Sequence, residues 1–153
     1  MAKTITIKTF SVSVAVEGER PEYILSSQDA YRLLRPIFQG LDMHQEHVIA
    51  LALDGTKQVL GYKVICSGKK DASEIDLRLL FRALLVFDAS QFILAHNHTS
   101  DYSHGAVVAS PDDKTVTVRI AKAADMIGIR LVDHLILSAD LSQFYAFSEH
   151  HRS

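Results

Sequence analysis

The sequence predicts an α/β fold: an α-β-α sandwich with a mixed β-sheet, two main helices and an additional N-terminal helix. Three observations lead there. Apolar residues recur at helical spacing over Ser73 to Asp88 and again from Pro111 to Ile127. The first of those segments is followed at once by a short, continuous apolar run of the kind a buried strand shows, Gln91 to Ala95, and the second by a strand from Arg130 to Leu137. Earlier in the chain, two further strand-like segments flank Asp54-Gly55, a hairpin turn signal.

Taken in order, Thr4 to Val16 alternates in part through Ile5, Ile7, Val12, Val14 and Val16, and reads as an N-terminal strand or hairpin arm. Ser26-Ser27-Gln28-Asp29 caps a helix through Leu33, Leu34, Ile37 and Phe38 that ends near Gly40. His47 to Leu53 and Lys57 to Cys66 are strands that pair antiparallel across Asp54-Gly55. The helix from Ser73 to Asp88 carries Ile75, Leu79, Leu80, Ala83, Leu84 and Phe87 on one face, and lies on the sheet. The strand beginning at Gln91 leads into His96-Asn97-His98. After a loop from Thr99 to Ala109, the long helix from Pro111 closes at Gly128 as its C-terminal cap, and Arg130 to Leu137 and Gln143 to Phe147 are the final strands.

Composition narrows the function. With 153 residues, 48% of them hydrophobic, residues 1–153 are expected to form one domain with a substantial core. A formal charge of −2 provides no phosphate-neutralising surface, and Lys69-Lys70 is too short a basic run to change that, so nucleic acid is not indicated as a partner. No apolar run approaches the ~18 residues of a membrane span. The polar start Met1-Ala2-Lys3-Thr4 lacks a signal-peptide core, so a soluble, cytoplasmic protein is expected. Cys66 is the sole cysteine, which excludes an internal disulfide; at the end of an apolar strand it reads as a small buried hydrophobe.

The chemistry concentrates at His96-Asn97-His98 and Ser110-Pro111-Asp112-Asp113. On a strand, residues two apart share a face, whereas on a helix they diverge by roughly 200°, so His96 and His98 converge only where a strand carries them. Ser110 reads as a helix N-cap with Pro111 at the first helical position, and Asp113 closes a capping box. A carboxylate held there is placed to be a third metal ligand, with Asp112 as its competitor. Two imidazoles, one carboxylate and an open position form the ligand set of a catalytic zinc site, and equally the facial triad of non-haem iron enzymes. Glu46 by itself would be a surface carboxylate. Asn97 points away from both histidines and should satisfy backbone groups. Asp133 and His134 read as structural, since their strand offers no evident path to the ion, and His150 and His151 as a polar tail.

The ordered set Glu46, His96, His98, Ser110 and Asp113 resembles the JAB/MPN/JAMM zinc metalloprotease superfamily, and within it the RadC-like branch. Gln45-Glu46-His47, Arg78, Phe81-Arg82 and the passage from Gly128-Ile129 into Leu131-Val132-Asp133-His134 extend the resemblance over Ser26 to Phe147. It implies a JAB-type, cytidine-deaminase-like fold. It also implies Zn2+ bound by His96, His98 and Asp113, with Glu46 as acid/base on the water in the open position and Ser110 as hydrogen-bond donor to the oxyanion. The implied activity is hydrolysis of a peptide or isopeptide bond in a protein or peptide substrate, a ubiquitin-like conjugate among them. A catalytically weak JAB-fold module that binds partners in DNA repair or mobile elements is the alternative. The chain departs from the branch where His98 is followed by Thr99-Ser100-Asp101 rather than Pro-Ser-Gly. Its loop to Ser110 is longer than usual and contains His104, and a stand-alone domain without the helical region that precedes it in full-length RadC proteins is expected.

Overall fold

A computed structural model describes residues 22–68, 75–100 and 106–150. The expected arm over Thr4 to Val16, His104 in the long loop, and His151 lie outside the described residues. Helix α1 (Ser27–Gln39) begins where the sequence places it. The Ser26 hydroxyl accepts from the Asp29 N–H at 3.2 Å while the Asp29 carboxylate accepts from the Ser26 N–H at 3.1 Å, so two otherwise orphaned donors at the helix start are satisfied.

Strands β1 (Glu46–Leu53) and β2 (Val59–Gly68) form the expected antiparallel hairpin. Its connection is longer than a two-residue turn. The Asp54 carboxylate accepts from the Thr56 and Gln58 N–H groups, and Lys57 takes a φ of 70°, so β2 starts at Val59 and not at Lys57. Helix α2 (Leu77–Val86) is likewise shorter than its hydrophobic period, because Asp76 acts as N-cap and accepts from the Arg78 N–H. Strand β3 (Gln91–Asn97) follows, then α3 (Pro111–Met126) and β4 (Arg130–Leu137). Gly128, at φ 75°, makes the exit from α3 that side chains disfavour. The last expected strand is only β5 (Phe144–Ala146), and the chain then turns into the short α4 (Phe147–His150). His150 is therefore not a free tail; its ring stacks on Tyr145 with centroids 4.2 Å apart.

The strands form one sheet in the order β2-β1-β3-β4-β5. Only β3 and β4 run parallel, joined through α3; the other neighbours are antiparallel, so the sheet is mixed as expected. Its two faces are covered separately. Ala30, Leu34 and Phe38 of α1 pack with Ile49, Leu51, Ile93, Ala95 and Leu135 on one face. Leu80 and Leu84 of α2 and Val116, Ile120 and Ala124 of α3 pack with Val48, Ala50, Phe92 and Leu94 on the other. Each fully buried Leu, Ile or Phe contributes about 1.5–3 kcal/mol. Gly61 allows α2 this close approach: a Cβ there would lie 2.4 Å from the Phe87 ring. Cys66 is only half-buried, at the margin of this second core.

Candidate metal centre

The polar groups collect where this second core ends, at the C-terminal end of β3 and the first turn of α3. Strand alternation sends Phe92, Leu94 and His96 to the face covered by α2 and α3. His96 is buried, as are its cross-strand neighbours, and His98 follows just beyond the strand, anchored by its N–H to the Leu137 carbonyl at 2.9 Å. Asp113 enters from α3. Its Oδ2 accepts from the Ser110 N–H at 2.9 Å and its own N–H donates to the Ser110 hydroxyl at 3.1 Å, so the expected capping box sets the rotation of the carboxylate.

The result is a convergence of lone-pair atoms. His96 Nε2 lies 3.3 Å from His98 Nε2 and 3.2 Å from Asp113 Oδ1, and His98 Nε2 lies 3.5 Å from Asp113 Oδ2. A tetrahedral ion with bonds of ~2.0–2.2 Å separates its ligand atoms by about 3.3–3.6 Å, so the spacing suits one small cation. Among the described residues this is the group of histidine, cysteine or acidic side chains that could hold a metal ion. Burial alone would raise the Asp113 carboxyl, but the facing His96 and His98 hold it well below the ordinary carboxylate range. The carboxylate is thus ionised, and its two oxygens face the His96 and His98 ring nitrogens. The competing Asp112 stays exposed on α3.

Glu46 and Ser110 complete the expected set differently. Val48 of β1 pairs with His96, so alternation puts Glu46, two residues earlier, on the same sheet face as His96, and it is half-buried there. Ser110 uses a lone pair in the cap, which leaves its hydroxyl proton to donate elsewhere. Asn97, between the two histidines, does satisfy backbone groups. Its Oδ1 accepts from the His47 N–H at 2.7 Å and its Nδ2 donates to the Gln45 carbonyl at 3.0 Å. The described β1–β3 pairing ends at Val48 and His96, and beyond it this side-chain amide grips the chain on both sides of Glu46. His47 is fixed on its other edges: Nε2–H donates to the Asp42 carbonyl at 2.6 Å, and Nδ1 accepts from the Ser67 hydroxyl at 2.7 Å.

The structural reading of His134 needs correction. Its Nε2 lies 2.8 Å from His96 Nδ1, on the edge of that imidazole turned away from Asp113. Its Nδ1 lies 2.6 Å from the Thr117 hydroxyl, which itself lies 2.6 Å from the Asp113 carbonyl. Burial, with His96 beside it, holds the His134 imidazole well below its usual value, so it is neutral. The reason it was invisible is a register slip: Phe92 pairs with Leu131 but Ile93 with Asp133, leaving Val132 extra in β4. Simple alternation from Leu131 would aim His134 at the opposite face; the irregularity re-aims it toward His96. The ring is also stacked on Phe147 at 5.0 Å. Asp133 is structural as expected, accepting from the Ser148 N–H and hydroxyl and so tying α4 to β4. Its carboxyl is pushed up by burial, against those hydrogen bonds. Thr117, one turn after Asp113, carries no sequence signal of its own beyond that spacing.

Relatives resemble this chain over most of its length. It is 34% identical over 133 residues to a UPF0758 protein of Porphyromonas gingivalis, covering 87% of this chain and 56% of that protein. It is 34% identical over 125 residues to UPF0758 protein YfjY of Escherichia coli, covering 82% and 73% respectively. A Streptococcus gordonii UPF0758 protein is 37% identical over 134 residues, covering 87% and 54%. The chain thus spans about half the length of the Porphyromonas and Streptococcus relatives. No helix among the described residues is long and apolar enough to cross a membrane. Residues 24–152 match the family described as the RadC-like JAB domain, and with the fold, the ligand convergence and these relatives in view, the chain belongs to that family.

Proposed function

We propose that this chain is a zinc-dependent hydrolase of amide bonds, with His96, His98 and Asp113 as the metal ligands. The observation that carries this reading is the convergence of two imidazole nitrogens and an ionised carboxylate at 3.2–3.5 Å, at the edge of the core and beside the strand bearing Glu46. All three groups can turn lone pairs toward one point together only where a cation lies among them. When bound, zinc supplies a Lewis acid that polarises a carbonyl and brings the pKa of a coordinated water to about 7.

The chain's own residues divide the remaining work. Glu46, on the same face as His96, takes the proton from the attacking water and returns it to the departing amine, which requires a carboxylate within hydrogen-bond reach. The Ser110 hydroxyl, with its proton free of the cap, donates to the oxyanion as the carbonyl becomes tetrahedral. Asn97 keeps the backbone around Glu46 in register with the histidine strand. The substrate class is a protein or peptide amide, with isopeptide conjugates of a ubiquitin-like protein the first to examine.

The test compares zinc-loaded wild-type protein with Glu46→Gln on modifier conjugates and on short peptides, with metal content measured by elemental analysis. Stoichiometric zinc in both proteins and cleavage by the wild type alone is the expected result. Cleavage that survives Glu46→Gln would remove the assigned mechanism. Stoichiometric zinc without hydrolysis of any amide would instead favour a partner-binding JAB module.

A further inference from the structure

We propose that Thr117 and His134 form a hydrogen-bonded relay that fixes His96 with its proton on Nδ1, turning a bare Nε2 toward Asp113 and His98. Both are positioning residues, acting on the site through His96. The direction of the relay follows from counting donors. A threonine hydroxyl has one proton and accepts with its lone pairs, whereas a backbone carbonyl only accepts. Thr117 Oγ1 lies 2.6 Å from the Asp113 carbonyl, a distance at which two oxygens must share a proton, so the hydroxyl donates there. Its contact with His134 Nδ1, also 2.6 Å, is then made by a lone pair, and His134 must carry its proton on Nδ1. A neutral imidazole has one N–H, so His134 Nε2 accepts, and the group 2.8 Å away that donates to it is His96 Nδ1–H.

The opposite direction fails at one end. A Thr117 hydroxyl donating to His134 would leave two oxygen lone pairs facing each other 2.6 Å apart at the Asp113 carbonyl. The relay therefore begins at the main chain of Asp113 and ends at the lone pair facing its carboxylate. One residue of α3 sets both a carboxylate ligand and, through its carbonyl, the tautomer of an imidazole ligand. The His134 ring cannot rotate out of this arrangement without losing its stack on Phe147 and both hydrogen bonds. Partners of this kind on a ligand's distal nitrogen fix tautomer and ring orientation, and their loss typically weakens metal binding 10- to 100-fold.

The consequence for zinc rests on the function proposed above; the tautomer does not. Long-range 15N NMR of the full chain, zinc-free and zinc-loaded, reads the His96 tautomer directly, and zinc affinity is measured by chelator competition. In Thr117→Val, a His134 Nδ1–H would be buried without an acceptor, which is worse than a bare nitrogen, so both imidazoles reverse and His96 carries Nε2–H. We expect Nδ1–H on His96 in the wild type. We expect Nε2–H and a 10- to 100-fold weaker zinc affinity in Thr117→Val, with recovery of both in Thr117→Ser. His134→Phe and His134→Gln form a second pair should the valine variant not fold: phenylalanine removes the acceptor, while the glutamine oxygen replaces it. An Nε2–H His96 in the wild type overturns the relay. So does zinc affinity unchanged in Thr117→Val and His134→Phe while only their melting temperatures fall. A wild type that keeps Nδ1–H but binds no zinc sinks the metal-site reading and leaves the relay standing.

Discussion

Replacing Asn97 with alanine cuts the link between the histidine strand and the segment bearing Glu46. The side chain is fully buried, and its two hydrogen bonds run to the His47 N–H at 2.7 Å and the Gln45 carbonyl at 3.0 Å. The two losses differ in size. His47 is buried, so its N–H is left without an acceptor at a cost of about 1–3 kcal/mol, whereas exposed Gln45 recovers water and loses only about 0.5–1.5 kcal/mol. The sum is about 1.5–4.5 kcal/mol. For a chain of this length 1 kcal/mol moves the melting temperature by about 3 °C, so Asn97→Ala should melt about 5–14 °C below the wild type. Because the amide lies on the far side of β3 from both imidazoles, zinc affinity should change little while amide hydrolysis, which by the proposed mechanism needs Glu46 in place, falls steeply. Urea unfolding at matched metal content measures the first effect, and chelator competition beside turnover the second. A variant within ~0.5 kcal/mol of the wild type, the range of ordinary surface substitutions, would show that the amide does not carry this link.

Three further outcomes follow from the same geometry. Asp113→Asn removes the charge that the imidazoles face; zinc at 100 times its dissociation constant should stabilise the wild type by about 2.7 kcal/mol in thermal melts and the variant hardly at all, and an equal shift in both would refute the ligand assignment. Ser110→Ala keeps the backbone N–H that holds Asp113 Oδ2, so zinc content should persist while the lost cap costs about 1 kcal/mol and the lost donor lowers turnover about 10²- to 10³-fold; unchanged turnover would end the oxyanion role. Hydrogen bonds from the Ser142 N–H and the Ser142 and Ser138 hydroxyls hold Asp140 down at about 2, below its ordinary 3.8. With the folded value depressed, its support of the β4–β5 turn is complete above 3.8 and is lost as pH falls through about 2, so Asp140→Asn should flatten that part of the acid limb. A carboxyl NMR titration placing Asp140 at or above its ordinary value would contradict this.

The elements that the sequence made legible are those whose signals are local. The capping boxes at Ser26 and Ser110 and the Gly128 exit depend on residues a few positions apart, and all are present where expected. The histidine strand was legible because strand alternation is a local rule and β3 obeys it. The departures were also local in cause but conditional on neighbours. Lys57 could be counted as strand because nothing in the sequence shows how far Asp54 reaches into its turn. His150 looked like tail because its partner is Tyr145 across a strand-to-helix turn that residue type does not signal.

By itself, then, the sequence determined the order of helices and strands, the three converging groups that could hold a metal ion, and the family, because periodicity, capping and motif spacing are properties of short stretches of chain. The tertiary structure decided which sheet face each strand residue meets after the slip at Val132, and so brought His134 to His96. It also decided that Asn97 spans β3 and β1 and that Thr117 closes a path back to Asp113. Those contacts join residues from separate elements through register and hydrogen-bond direction, quantities that exist only once strands have paired and a helix has docked.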